Sequence, residues 1–411
     1  MPRRHMLDGG TLLLTDRIPR SKSVSLGFWV ALGSRDEGEA ERGFAHFIEH
    51  MLFKGTAGRS CGDIAREIDG MGGEINGATG KETTDYYVNV PSAHLSGALE
   101  LLADMFFHSS LERSEFEKER RVILDEIDLT TDDPEEQVSD LFSAKLWGAH
   151  PLGRTATGEK HEVDSVRLQS LKEFYRRCYK PSRLVVSAAG GIEEVELIRV
   201  IEPLLHREAA KDPDSGPVHR RENPVPKIGK ECLLRDLEQV YVTFGREGYS
   251  FSDETRHAGA LLNIIVGNSF SSRLFQRIRE QEALCYSIGS SLLSYSDGGE
   301  FSISFSTSPG NLERVLAALE RELRLVKIGD LTEQELQNAK NRFKGNYILS
   351  QESNEWKMAR MAVHEIVFGR IIPFDETLRK IEEVTLDELN LCAARLLEGK
   401  RFSSACAGPE G

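Results

Sequence analysis

The chain has 411 residues, 39% of them hydrophobic and 29% charged, the composition of a folded globular protein with more mass than one ordinary core holds. With 52 basic residues against 66 acidic ones it carries a net charge of −14, which argues against a nucleic-acid backbone as partner. No apolar run is long enough to span a bilayer, so no membrane partner is expected either.

Reading from the start, Gly9-Gly-Thr-Leu-Leu-Leu-Thr15 is too short for a secretory core and lacks a small-residue cleavage site. It reads as a first strand. The six cysteines (Cys61, Cys178, Cys232, Cys285, Cys392, Cys406) are scattered, with no close pair. That usage points to a reducing compartment, free thiols and a cytoplasmic protein rather than a disulfide framework.

Val24–Val30 reads as a strand, followed by a polar loop and a helical stretch from near Gly43. Asp85–Val90 alternates polar and apolar residues, as a half-buried antiparallel strand does. Stretches 92–108 and 112–130 read as helices. Lys211–Pro226 holds four prolines and charges of both signs without apolar periodicity, the pattern of an exposed connector. Beyond it, Val240–Gly245 reads as a strand and 254–266 as a helix, repeating the order of the first half. Glu300–Ser306 reads as another strand, and 310–325 and 332–350 as helices. The expected architecture is α+β: two homologous domains, each an antiparallel or mixed β-sheet packed with α-helices. The expected boundaries are 1–212, a linker at 213–226, and 227–411.

Chemistry concentrates in one helix. On a helical wheel, Phe44, Phe47, Ile48, Met51 and Leu52 form a single apolar stripe. His46, Glu49 and His50 share the opposite face, and Gly55 offers a stop. Two imidazoles four residues apart can meet one cation. The carboxylate between them can take a proton from a water. The alternative is a solvated face that happens to carry these groups, but His-x-x-Glu-His is the order of the inverted zinc motif. A third ligand is sought in Ser114–Ile127. There Glu119 and Glu126 lie seven residues apart, two helical turns, on one flank of an apolar stripe of Phe116, Ile123 and Ile127. One of the two could bind the ion while the other supports it from behind.

Together these segments resemble the inverzincin peptidases, which include the mitochondrial processing peptidase, insulysin and shorter bacterial processing-peptidase-like proteins. Gly43–Thr56 carries the resemblance most specifically, and it extends over essentially the whole chain. Glu126 lies 76 residues past His50, the spacing at which that family carries its third ligand. The resemblance therefore implies one Zn2+ per chain on His46, His50 and Glu126, Glu49 as the base, and Glu119 as the family's further glutamate. Asp125 fits the spacing less well. Gly72–Thr79 resembles the edge strand that aligns the substrate backbone, through Asn76, Gly77, Ala78 and Thr79. Such an edge has free N–H and C=O groups to offer an extended peptide. Asn268–Ser287 resembles the segment that carries the family's catalytic Arg and Tyr, here Arg279 and Tyr286. The alternative there is a structural ion pair and a packed aromatic. Gly77 between Asn76 and Ala78, and Val266–Phe270 in place of a glycine run, depart from many relatives.

The implied protein is a zinc metalloendopeptidase acting on small or unfolded peptides in a closed chamber. It would be a homodimer, or a heterodimer with a related chain. The competing expectations are an inactive or partner-dependent subunit of the same fold and a peptide-binding protein without turnover.

Overall fold

The computed structural model describes residues 2–209, 221–398 and 402–409. They form two compact units. The first holds a six-stranded sheet of β1 (Arg3–Met6), β2 (Leu12–Arg17), β3 (Ser23–Val30), β4 (Glu74–Thr79), β5 (Thr84–Pro91) and β6 (Leu184–Gly190), in the order β1-β2-β6-β3-β5-β4. The second holds a five-stranded sheet of β7 (Lys230–Leu234), β8 (Val240–Glu247), β9 (Ser287–Ser294), β10 (Gly299–Thr307) and β11 (Ser403–Gly408), in the order β7-β11-β8-β10-β9.

Without β1, the two sheets have the same order when strands are counted along the chain: first, fifth, second, fourth, third. Each has a single parallel pair, between its first and fifth strands (β2 with β6, β7 with β11), and antiparallel pairs elsewhere. The duplicated α+β architecture expected from the sequence is thus present. The helices also fall where periodicity puts them: Leu95–His108, Arg113–Asp132, Arg256–Val266, Leu312–Lys327 and Glu333–Ser350. The basic β1 at the start of the chain was not expected. It is mostly exposed and adds an edge strand to the first sheet.

The compact units are drawn differently from the halves 1–212 and 227–411. Unit 1 comprises Met1–Asp128, Thr155–Arg221 and Leu349–Ile371, and unit 2 comprises Leu129–Arg154, Glu222–Ile348 and Ile372–Gly411. Each unit therefore takes one helix from the other half of the sequence. Asn354–Phe368 buries Met358, Met361 and Ala362 against Leu12, Leu14, Trp29 and Ala189 of the first sheet. Pro134–Trp147 buries Val138, Phe142, Leu146 and Trp147 against Ala405 and Ala407 of the second. Both helices show an apolar stripe in sequence, but a stripe does not say which sheet will cover it. Most of the expected linker, residues 213–220, lies outside the described residues.

One cysteine expectation is corrected. Cys232 on β7 and Cys406 on β11 form a disulfide across 174 residues of sequence. They are register partners in the parallel pair, so strand topology brings together what spacing keeps apart. Cys61, Cys178, Cys285 and Cys392 are free. No described helix is long and apolar enough to cross a membrane.

In unit 2 the borrowed helix is held by a buried carboxylate. Glu300 accepts from Trp147 Nε1 at 2.6 Å, Ser143 Oγ at 2.9 Å and the Tyr295 hydroxyl at 3.2 Å. Removing it takes this acceptor from two buried donors, Trp147 and Tyr295, and from the half-buried Ser143, at a cost in uncompensated desolvation. Glu300→Ala should lower stability by about 2–4 kcal/mol, read as a fall in the denaturant midpoint. Glu300→Gln keeps an acceptor oxygen and should lose clearly less.

Candidate metal centre

The helix Phe44–Leu52 begins at Gly43, whose φ of +80° is one that residues with a Cβ rarely adopt. Its first free amides are capped from outside: the Glu37 carboxylate accepts from Gly43 N at 2.9 Å and Ala45 N at 2.7 Å. The loop before it is tied down as well. Arg221 donates to Asp36 at 2.7 and 2.9 Å and to Glu82 Oε1 at 3.1 Å, and buried Arg35 donates to the same Glu82 oxygen at 2.5 Å. Phe44, Phe47, Ile48, Met51 and Leu52 are buried as the stripe requires. Leu52 ends the helix, three residues before Gly55.

Phe47 stacks on Phe116 of the helix Arg113–Asp132, with ring centroids 4.8 Å apart and planes 19° apart. With Ile123 also buried, this packing turns the flank bearing Glu119 and Glu126 toward the two histidines. His46 Nε2 lies 3.7 Å from Glu126 Oε1, and His50 Nε2 lies 3.4 Å from Glu126 Oε2. One ligand atom from each of the three residues lies within 4.8 Å of the others. A tetrahedral ion with ligands about 2.0–2.1 Å away would set them roughly 3.3 Å apart, so the set suits such an ion. Burial, and then the neighbouring His50, pushes His46 down to about 4, which keeps its imidazole neutral and able to donate a lone pair.

Glu119 stands behind His50. Its Oε2 is 3.2 Å from His50 Nδ1, and its Oε1 is 2.9 Å from Lys54 Nζ. That contact sets the Nδ1–H tautomer and leaves Nε2 free to face Glu126. The residues alone left open which of Glu119 and Glu126 binds and which supports, the resemblance implied Glu126 as the ligand, and nothing in the sequence gave a reason to look at Lys54.

Glu49 shares the face of the histidines. Burial raises its pKa, while a hydrogen bond from Thr79 Oγ1 at 2.5 Å works the other way. Thr79 had been singled out only as part of the edge strand, yet its side chain holds the carboxylate. Gly77 stands beside it, and a Cβ there would come within 3.1 Å of Glu49 Cγ. The missing side chain at Gly77 thus leaves room for the Glu49 stem. β4 is the last strand of its sheet. Gly77 N–H donates to the Asn76 side chain at 2.9 Å, and Ala78 is exposed.

Arg279 and Tyr286 belong to unit 2. Arg279 stacks over Phe275 at 4.5 Å, and Tyr286 is 77% exposed, so it is not a packed aromatic. Asp85 on β5 also escaped the sequence reading. Burial first, then the charges of Glu49 and Glu355, pushes it up to about 7 from an ordinary 3.8.

Residues 12–160 match the model of the insulinase family, peptidase family M16, and residues 165–343 match that of the peptidase M16 inactive domain. An uncharacterized zinc protease of Mycobacterium leprae is 37% identical over 99% of this chain and 91% of its own length. One of Bacillus subtilis is 34% identical over 100% of this chain and 99% of its own. Among solved structures, a protease from Helicobacter pylori has a TM-score of 0.94 at 20% identity, with all of both chains covered. A peptidase M16 inactive domain from Pseudomonas fluorescens has a TM-score of 0.89 at 21% identity, covering 100% of this chain and 98% of its own. At these identities the two structures speak for the fold alone.

Two expectations follow from the geometry. Glu119→Gln should weaken metal binding about 10- to 100-fold with the fold intact, read by competition with a chromophoric chelator. Asp85 has a folded value above its unfolded one, so its ionisation opposes folding. The penalty is absent below about pH 4, grows as pH rises, and is complete above about pH 7. Asp85→Asn should therefore melt higher than the parent at pH 8, with the difference fading by pH 4.

Proposed function

The chain belongs to the insulinase family, peptidase family M16, and we propose that it is a zinc-dependent endopeptidase that hydrolyses small or unfolded peptides. The observation that carries this reading is the convergence of His46 Nε2, His50 Nε2 and the Glu126 carboxylate, with Glu49 on the same helix face. A zinc ion held by His46, His50 and Glu126 would supply Lewis acidity toward a water and the scissile carbonyl. The residues do the rest. Glu49, steadied by Thr79, takes the proton of the attacking water and returns it to the leaving amine. Glu119 fixes the orientation of the His50 ring. The backbone of Asn76–Thr79 pairs with the peptide and holds it extended. Residues 165–343, which match the model named inactive, contain no His-x-x-Glu-His of their own.

The active form in this reading is a homodimer in which Arg279 and Tyr286 of one copy complete the zinc site of the other, stabilising charge on the carbonyl oxygen. Support comes from the resemblance and from the presence of both residue sets in one chain. The cytoplasm is the proposed compartment; the four free thiols support it and the Cys232–Cys406 disulfide counts against it.

Purified chain should cleave unstructured peptides, as seen by mass spectrometry, and lose that activity to a chelator. Glu49→Gln should keep about one zinc per chain yet lose nearly all turnover. Activity within a few-fold of the parent would reassign the base. Mixing Glu49→Gln with Tyr286→Phe chains should restore activity as subunits exchange. No recovery despite demonstrated exchange would reject the shared site.

A further inference from the structure

Arg221 reaches two buried carboxylates from far along the chain. Its Nε and Nη2 fork onto Asp36 at 2.7 and 2.9 Å, while Nη1 and Nη2 donate to Glu82 Oε1 at 3.1 Å and Glu82 O at 3.2 Å. Asp36 and Glu82 are both buried, so each needs a partner that offsets its desolvation. Arg221 belongs to the stretch whose prolines and mixed charges mark a connector, and the chain enters unit 2 at the next residue, Glu222. A connector can cross between units without such an anchor. Fixing one guanidinium on two acids costs side-chain freedom and gives a directed, planar restraint in return.

Both acids lead to Glu49. Asp36 accepts from Gly33 N at 3.0 Å, and its neighbour Glu37 caps Gly43 N and Ala45 N at the start of the metal-site helix. Glu82 lies in the turn between β4 and β5, shortly after Thr79, whose hydroxyl holds the Glu49 carboxylate. Loop and turn meet directly: Ser34 N donates to Gly80 O and Arg35 N to Lys81 O, each at 3.0 Å. Arg221 therefore lies across a junction with two arms. One runs to the helix that carries Glu49, the other to the strand that carries Thr79. Two backbone hydrogen bonds alone leave such a junction free to pivot, whereas a rigid fork bonded to an acid on each side resists it. A lysine would supply the charge without the fork.

We propose that Arg221 is a positioning residue of the metal site, setting the register between the helix that presents Glu49 and the strand whose Thr79 steadies it. It touches none of the reacting atoms. The inference rests on the peptidase reading for its kinetic arm. It adds that the connector is a working part of the site and not merely a link between units.

The test compares full-length, zinc-loaded Arg221→Met and Arg221→Lys with the parent on an unstructured quenched peptide. Zinc content should stay at about one per chain, because His46, His50 and Glu126 are set by the packing of their two helices. Per zinc-loaded chain, kcat should fall about 10- to 100-fold in Arg221→Met and roughly three- to tenfold in Arg221→Lys, with KM within about threefold of the parent. Should Arg221→Met fail to fold, Arg221→Lys decides by the same measure. Combining either variant with Thr79→Val should cost far less than the product of the single losses, since both act on Glu49. A second arm needs no turnover: hydrogen exchange at the amides of Ser34, Arg35, Gly43 and Ala45 should quicken in the variants while the core of unit 2 stays protected. A fall in melting temperature with kcat unchanged, losses that multiply, or exchange that does not quicken overturns the inference and leaves the peptidase reading standing. Quickened exchange in a chain whose parent never cuts peptides overturns the peptidase reading and leaves the register role standing. Neither cleavage by the parent nor quickened exchange in the variants overturns both.

Discussion

The stacking of Phe47 on Phe116 fixes how two helices meet, and the site depends on how they meet. A rotation of either helix by one residue, about 100°, would carry Glu126 or the imidazoles out of reach. The packing that prevents this is apolar and dense, and it lies behind the polar groups. Around it sit short polar restraints: Glu37 on the helix start, Glu119 on His50 and Thr79 on Glu49. Glu119 and Thr79 act on side chains that would otherwise have rotamers to choose from, and Glu37 on the backbone amides that start the helix. The chemistry of the site is in this sense a product of preorganisation, assembled by a core that contains none of the reacting atoms.

Duplication supplied two copies of one strand order, yet the copies differ in what they carry. Between the second and third strands of the first sheet lies the helix with His46, Glu49 and His50. Between the corresponding strands of the second lies Arg256–Val266, whose buried residues are aliphatic or small apart from Asn263. The fold does not require the metal site, because the second copy closes its core without one. The carboxylates and imidazoles of unit 1 are therefore better explained by chemistry than by stability.

What the sequence made legible follows from the range of each interaction. His46, Glu49 and His50 lie within a single helical stretch, so spacing and an apolar stripe sufficed. Strands β5 and β10 announced themselves by alternation, and β3 and β8 as strands followed by a polar loop and a helix in the same order. Glu126 could be singled out from Glu119 and Asp125 only through the resemblance, because nothing local separates three acids on one helix. The pairing of Cys232 with Cys406, the sheet each borrowed helix covers, and the hold of Thr79 on Glu49 are set by strand order and register. Those are tertiary facts that leave no periodic trace. Asp85 was hidden for another reason: a lone acid in an alternating strand looks like any solvent-facing residue until its neighbours are known to be acids too.

The borrowed helices bear on how the chain is made. The first sheet is complete in strands once residue 190 has been synthesised, but the helix that covers Leu12, Leu14 and Trp29 begins at Asn354. At ribosomal speeds of about 5–20 residues per second, the intervening stretch takes roughly 10–30 s to appear. For that interval a nascent chain presents one apolar sheet face to the cell, with no intramolecular cover available. Completion of unit 1 is thereby a late event of synthesis, and its contact order is high whatever the local propensities. A chain interrupted anywhere before residue 354 would leave that face bare, a natural substrate for holdases and for the quality-control proteases that follow them.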